Sequence, residues 1–277
     1  MNFSHMMTRI REERRPLRFL LSRVLAATGL AARLKLKITR DGYQLHFFDT
    51  AMSQNLWLSA EDRSYDVDII RSLLTPGGVY VDIGANIGDL VLAGASAVGP
   101  GGKVFAFEAH PRTFSLMLQN VALNGRPNIH PVNAACGDAF GWARFSNKSA
   151  DDMNQVGTGD LVVPIVPAQS FLPQEQIDLV KVDVEGFELF VLQGLVDALP
   201  RTRHLLLEVG DAHFMHFGYR FADVYDLLVG LGFAILKQDG DGDARIWKPL
   251  NDRDHPFPRV QNVIATRDLR LRERLPG

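Results

Sequence analysis

The chain has 277 residues, 46% of them apolar and 22% charged, enough to bury the core of one large α/β domain or two small ones. Its formal net charge of −2 is unevenly spread: residues 1–40 carry ten Lys or Arg against Glu12 and Glu13, a net of +8, and the remainder carries −10. A body of that sign argues against a broad nucleic-acid footprint. The single Cys136 excludes an internal disulfide and fits a reducing compartment.

The start superficially resembles a signal peptide, but Arg23 interrupts the would-be apolar region and Glu12 and Glu13 precede it, which argues against secretion. No uncharged apolar run of about eighteen residues is present to span a membrane, so the expected location is the cytoplasm. From Pro16, the positions Leu17, Leu20, Leu21, Val24 and Leu25 recur at helical spacing, flanked by Arg14, Arg15, Arg18 and Arg23. This pattern predicts a helix that packs its leucine stripe on the domain and keeps a solvated basic side. The alternative is a helix resting on the inner membrane surface or on a partner.

The next stretch, "RLKLKITRDGYQLHFF", alternates on both sides of Asp41-Gly42 and predicts a β-hairpin. Residues 66–74 read as a helix closed by "TPGG". Strands are expected at 79–83, 103–107, 129–132, 178–184, 204–209, 232–236 and 260–266. Helices are expected at 88–98, 112–123, 187–199 and 221–231, and residues 141–170 as an insertion of short strands and a polar loop. Strands alternating with helices indicate a parallel sheet covered on both faces. The expected organisation is an N-terminal extension over 1–63 and one α/β domain over 64–277.

In such sheets ligands sit beyond the carboxyl ends of the strands. The first such end reads Asp82-Ile83-Gly84-Ala85-Asn86-Ile87-Gly88. Gly84 suits a tight turn, Asn86 tolerates left-handed backbone, and Gly88 lets the next helix pack closely. A dinucleotide loop needs glycine where Asn86 stands, and a Walker loop needs Gly-Lys-Ser or Gly-Lys-Thr, which is missing. A ligand with a ribose and a positive centre, such as S-adenosylmethionine, suits the loop better. Glu108 ends the second strand, 24 residues after Gly84, where a carboxylate can accept both ribose hydroxyls, and Asp138 follows the third, within reach of an adenine amino group.

The stretches "VDIGANIGDL", "FAFEAHPRTFSLMLQNVALNG" and above all "IDLVKVDVEGFELFVLQGL" resemble the FkbM-type family of class I methyltransferases from about residue 64 to 266. The resemblance implies a Rossmann-like, mostly parallel sheet of seven strands with the last antiparallel, S-adenosylmethionine as methyl donor, and transfer to an oxygen of a small-molecule, sugar or polyketide-like acceptor. It implies that Asp82, Gly84, Asn86, Gly88, Glu108 and Asp138 line the cofactor pocket. The chain departs from the family pattern at Ala109, where proline is frequent, and in "VPIVPAQSFL", which lacks the usual acidic pair.

In "LVKVDVEG", alternation puts Lys181, Asp183 and Glu185 on one side of a strand that is otherwise apolar. Charges in a buried parallel strand are costly unless paired or facing a cleft. Asp183 or Glu185 is therefore a candidate base for a hydroxyl acceptor, with Glu208 at the end of the fifth strand as a further candidate. The plainer alternative pairs Lys181 with one of these acids and uses Glu185 to cap the next helix. His213 and His216 are loop histidines on this reading, each capable of proton transfer near neutral pH. Magnesium held by Asp183, Glu208 and a histidine is conceivable, but no spacing demands it and no metal is assigned. The sequence lacks the aromatic Asn-Pro-Pro-Tyr or Asp-Pro-Pro-Tyr run that accompanies nucleic-acid amine acceptors. A catalytically silent cofactor-binding module and an NAD-dependent oxidoreductase remain the rival readings, the second disfavoured by Asn86.

Overall fold

The computed structural model describes residues 16–59, 63–147, 154–157, 159–239, 246–268 and 270–276. Two helices, α1 (Pro16–Thr28) and α2 (Leu30–Arg33), precede the hairpin β1 (Lys37–Arg40) and β2 (Tyr43–His46). The hairpin turns at Asp41-Gly42 as its sequence predicts, with Gly42 at φ 87°. Helices α3 (Ala51–Leu58) and α4 (Ser64–Leu73) lead to β3 (Val79–Ile83), α5 (Asp89–Val98), β4 (Lys103–Phe107), α6 (Pro111–Asn124) and β5 (Ile129–Val132). Then follow β6 (Ala135–Cys136), β7 (Gly141–Phe145), β8 (Leu161–Val166), β9 (Ile177–Val182), α7 (Glu188–Gln193) and β10 (Thr202–Val209). The last elements are α8 (Asp211–His216), α9 (Phe221–Gly230), β11 (Ala234–Asp239), β12 (Ile246–Pro249) and β13 (Gln261–Thr266).

The central sheet has the order β12-β11-β13-β10-β9-β3-β4-β5. The five strands from β10 to β5 are mutually parallel, and β13 is antiparallel to both β10 and β11. These are the seven expected strands with the last one reversed. An eighth, β12, adds itself to the edge of β11, in a stretch of alternation too short to announce a strand. Every residue of β3 and β9 is buried, because helices cover both faces of a parallel sheet and leave no solvated side. The chain turns in opposite directions from β3 to β4 and from β3 to β9, so the crevice at their carboxyl ends is the switch point where ligands bind in such folds.

The extension and the sheet share one core. Tyr43 and Leu45 of the hairpin and Leu56 of α3 are buried with Ile87, Leu92 and Leu179 on one face of the sheet. Two amides on α6, one turn apart, act as a surrogate strand for the hairpin edge. Asn124 accepts from the Gln44 amide at 2.8 Å and donates to its carbonyl at 2.7 Å. Asn120 accepts from the His46 amide and donates to the Ile87 carbonyl, both at 2.8 Å. The hairpin edge and the glycine loop are thereby fixed to the same helix face, with backbone groups matched rather than left dry.

Three expectations need correction. Most of the leucine stripe of α1 faces outward: Leu17, Leu20, Leu21 and Val24 are exposed, while Leu25 is buried as expected and Phe19 and Ser22 are buried with it. The Arg18 guanidinium lies 4.6 Å over the Trp57 ring and Arg23 lies 5.0 Å over Phe19, so cation–π contact and the larger Phe19 decide which face turns inward. The helix expected over 187–199 stops at Gln193. A Cβ on Gly194 would lie 1.8 Å from the Gly137 carbonyl, so the chain must bend there to let another backbone pass. His213 and His216 stand on the short helix α8, not in a loop.

Candidate active site

A cavity of about 400 Å³ opens at the carboxyl ends of β3, β4, β9 and β10, within the usual size of a small-molecule site. Gly84, Asn86, Glu108, Asp183, Glu185 and Glu208 line it, six residues that the sequence placed in a site. Asp82 lines the narrow cleft beside it, together with Gly84, Asn86, Arg63 and Lys181.

The glycine loop is shaped by its neighbours. Gly84 has φ 86°, and a Cβ there would fall 1.9 Å from the Asp183 carbonyl oxygen, so the loop after β3 runs directly on the end of β9. The Gly84 and Ala85 amides both donate to the Phe107 carbonyl at 3.0 Å. Asn86 takes the left-handed conformation at φ 48°, and its side-chain oxygen accepts from the Ile87 amide at 2.7 Å. Gly88 caps α5 at φ 87° and does not line the cavity. Its missing Cβ makes room for Met117, whose Cγ would lie 2.9 Å away, so its role is helix packing.

Glu108 closes the loop from the next strand. Its Oε2 accepts from the Asn86 amide at 2.9 Å and its Oε1 from the His110 amide at 2.8 Å. A carboxylate has about four acceptor positions, so anchoring two amides is compatible with receiving a pair of hydroxyls. Beyond Glu108 the wall is apolar, made by Ala134, Ala135 and Cys136 with Phe107, Phe145 and Val156. Phe145 and Val156 come from the 141–170 insertion, whose strands β7 and β8 form a small separate sheet with the preceding β6. Asp138 does not join this group. It is exposed, because the chain leaves β6 under Gly194 and carries residue 138 out of the cavity.

The opposite wall is acidic. Lys181 is buried between two carboxylates, 3.3 Å from Asp82 Oδ1 and 3.1 Å from Asp183 Oδ2. Burial would drive its proton off, but Asp183 and Asp82 outweigh burial and hold the ammonium above its ordinary pKa. For Asp183, burial favours the neutral acid, and Lys181 and Arg63 overcome it, so this carboxylate titrates below its usual range. Glu208 behaves oppositely. Burial, then the charges of Asp183, Glu185 and Glu188, push it up to about 9. Burial and the surrounding acids thus favour the protonated form of Glu208 beside an anionic Asp183.

Glu185 occupies an uncommon backbone position for a non-glycine residue, φ 57°, followed by Gly186 at φ 103°. Glu188, not Glu185, secures that turn. Its Oε1 accepts from the Val184 amide at 3.2 Å and the Gly186 amide at 3.1 Å, and burial raises it to about 7. Tyr219 donates to the Gly186 carbonyl at 2.7 Å and lies 3.3 Å from Glu188 Oε2. So held, Glu185 faces the cavity with its Oε2 at 3.6 Å from His213 Nε2. One ligating atom from each of Glu185, Glu208 and His213 lies within 4.8 Å of the others. His216 is exposed against Phe217 and outside the cavity.

Met52 and Asn55 of α3, with Arg63 and Asp66 at the start of α4, complete the wall, and sequence reasoning placed none of them there. Arg63 is the one Arg or Lys among the described residues lining the cavity. Its Nε sits 3.4 Å from Asp66, and one terminal nitrogen lies 3.5 Å from the Met52 sulfur, a weak acceptor. Burial would lower its pKa, but Asp66, Asp183, Asp89 and Asp82 outweigh burial and hold it above its ordinary value.

The FkbM methyltransferase domain profile matches residues 82–235. Over 222 residues the chain is 28% identical to the hexuronic acid methyltransferase AglP of Haloferax volcanii, covering 76% of this chain and 87% of that protein. Over 204 residues it is 28% identical to the 31-O-demethyl-FK506 methyltransferase FkbM of Streptomyces tacrolimicus, covering 60% of this chain and 76% of that one. Among solved structures, a SAM-dependent O-methyltransferase from Thermotoga maritima aligns over 73% of this chain and 64% of its own, with 15% identity and a TM-score of 0.43.

Proposed function

The chain belongs to the FkbM methyltransferase domain family, and from that premise we propose that it moves a methyl group from S-adenosylmethionine to a hydroxyl oxygen of a sugar or another polyhydroxylated small molecule. The two relatives are named for a hexuronic acid and a 31-O-demethyl compound, and both names fit an oxygen acceptor. Membership of a methyltransferase family speaks against the oxidoreductase; the silent module is separated by the methyl-transfer assay below.

The groups lining the cavity suit the cofactor part by part. Glu108 takes the ribose hydroxyls, and the Ala134–Cys136 wall with Phe145 takes the base. Arg63 takes the methionyl carboxylate, the cofactor's single anionic group, and the acids around it suit its two positive centres. Bound S-adenosylmethionine supplies a methyl group on a sulfonium, ready for in-line displacement. Holding donor and acceptor aligned is worth roughly 7–11 kcal/mol in such reactions.

The observation that carries the reading is that three carboxyl groups share one wall in different environments. Asp183 is anchored as an anion by Lys181, Glu208 is protonated at neutral pH, and Glu185 stands beside His213. Asp183 is too weakly basic to take a proton, and Glu208 already has one. Glu185 is therefore the base that receives the acceptor's hydroxyl proton, with His213 positioning it. A wall of this charge favours a neutral hydroxyl over a carboxylate at the reacting atom.

The test is methyl transfer from labelled S-adenosylmethionine onto pooled sugars and polyketide-like alcohols, with wild type and Glu185→Gln. Loss of general-base catalysis predicts a fall in kcat of about 10²–10⁴ with cofactor binding kept. An unchanged kcat removes Glu185 from the chemistry. Calorimetry with S-adenosylmethionine and with NAD tests the cofactor, and Arg63→Met should weaken the first at least about tenfold by leaving the carboxylate without its cation.

A further inference from the structure

The outward face of α1 is apolar. Leu17, Leu20, Leu21 and Val24 are 81, 39, 49 and 54% exposed, at the i, i+3, i+4, i+7 spacing of a single helix face. Leu30 and Leu34, 40 and 58% exposed, add two further apolar side chains at the start of α2 and just past its end. Water-facing helices ordinarily turn such a face inward. Here the inward face is already filled by Phe19, Ser22 and Leu25, with Arg18 and Arg23 drawn onto aromatic rings. The ridge is not a by-product of a loosely attached helix, because Arg18 on Trp57 and the burial of Leu25 in the core anchor α1 to the domain.

The charge around the ridge points to its occupant. Arg33, Lys35 and Lys37 are exposed beside it, and the first forty residues carry a net of +8 against −10 for the remainder. Two copies meeting face to face through this ridge would bring like charges together. An anionic lipid surface offers both apolar depth for the leucines and negative charge for the basic rim. We infer that the α1–α2 ridge is a docking surface for an anionic bilayer, on which α1 lies in the plane of the headgroups.

The physics of interfacial helices sets the strength. An apolar face buries about 5–10 Å into the boundary between headgroups and acyl chains, and basic residues add attraction that fades over a Debye length of about 8 Å at physiological salt. No described helix is long and apolar enough to cross a membrane, so the contact is lateral and reversible. Helix α3 touches the inward side of α1 and the cavity at once: Trp57 holds Arg18, and Met52 and Asn55 line the cavity wall. The docked helix is therefore one element away from the site.

The experiment is co-sedimentation of the full chain with phosphatidylcholine vesicles, with and without phosphatidylglycerol. Wild type should bind the anionic vesicles at least about tenfold better than the neutral ones and come off as salt is raised. The triple variant Leu17→Gln, Leu21→Gln, Val24→Gln should lose at least about tenfold in binding with its thermal midpoint preserved, since all three side chains are exposed. Arg33→Glu with Lys35→Glu should weaken binding and flatten its salt dependence, which keeps the test intact if the triple variant misfolds. Equal pelleting with both vesicle types, or equal binding by wild type and a folded triple variant, overturns the inference. So does a wild-type dimer in sedimentation velocity that becomes a monomer in the triple variant without any vesicle binding, which would give the face to a second copy.

Discussion

The Glu108 carboxylate at the end of β4 holds the Asn86 amide at 2.9 Å, so one side chain fixes the curvature of the neighbouring strand's loop and lines the cavity that the loop bounds. Its other oxygen holds His110 at 2.8 Å. Glu108→Ala leaves two amides unmatched, each costing about 1–3 kcal/mol when buried. The expected result is a lower thermal midpoint and a loss of S-adenosylmethionine affinity of at least about tenfold, measured by calorimetry. Glu108→Gln, which still accepts one amide bond, should recover part of the stability and little of the affinity. Undiminished binding by the alanine variant would place the ribose elsewhere.

Gly84→Ala tests the contact between strand ends. The added Cβ would fall 1.9 Å from the Asp183 carbonyl at a φ of 86° that disfavours any side chain. Left-handed strain and overpacking together predict a loss of about 2–5 kcal/mol, read by denaturant unfolding. Gly99→Ala, also at positive φ but with nothing within 4 Å of the built Cβ, isolates the strain alone and should lose less.

Tyr219→Phe removes the hydroxyl that bonds the Gly186 carbonyl at 2.7 Å and supports Glu188. The fold should lose about 1 kcal/mol. The more telling readout is a kcat decrease with KM nearly unchanged, because the turn that presents Glu185 loosens and the cofactor wall does not. A change in KM alone would show that Tyr219 supports the fold without positioning Glu185.

The sign of the pH dependence follows from Glu208, raised from 4.5 to about 9. Below pH 4.5 folded and unfolded states both hold the proton. Between 4.5 and about 9 the unfolded chain releases it and the folded one does not, so stability falls as pH rises through that window. Glu188, raised to about 7, adds a similar decline that ends two units earlier. Glu208→Gln should therefore flatten the loss of thermal midpoint between pH 7 and 9 and leave the lower part of the curve sloping. An unaltered slope above pH 7 would show that Glu208 is ionised in the native state.

The parts of the site legible in the sequence are those the sheet itself places. Gly84, Glu108, Asp183 and Glu208 sit at strand ends, where alternating strands and helices already dictate a crevice. Arg63, Met52 and Asn55 were not legible, because they reach the cavity through packing of the extension on the sheet and carry no local motif. Glu188 carries no motif of its own, and only the left-handed turn beside it shows what it holds. Asp138 was misplaced because β6 is two residues long and the chain turns out beneath Gly194. In α1 two faces have helical spacing, and Trp57, distant in sequence, selects between them.

The reversed strand β13 sits between β10 and β11, so the sheet cannot be completed in the order in which its strands are made. Until residues 261–266 arrive, β10 presents an open edge with Glu208 near its tip, and β11 has no neighbour on that side. Closure of that gap is a long-range event of the kind that slows folding. Completion of the sheet thus waits on the strand made after every other strand of that sheet, and until β13 pairs, Glu208 near the tip of β10 stands beside an open edge.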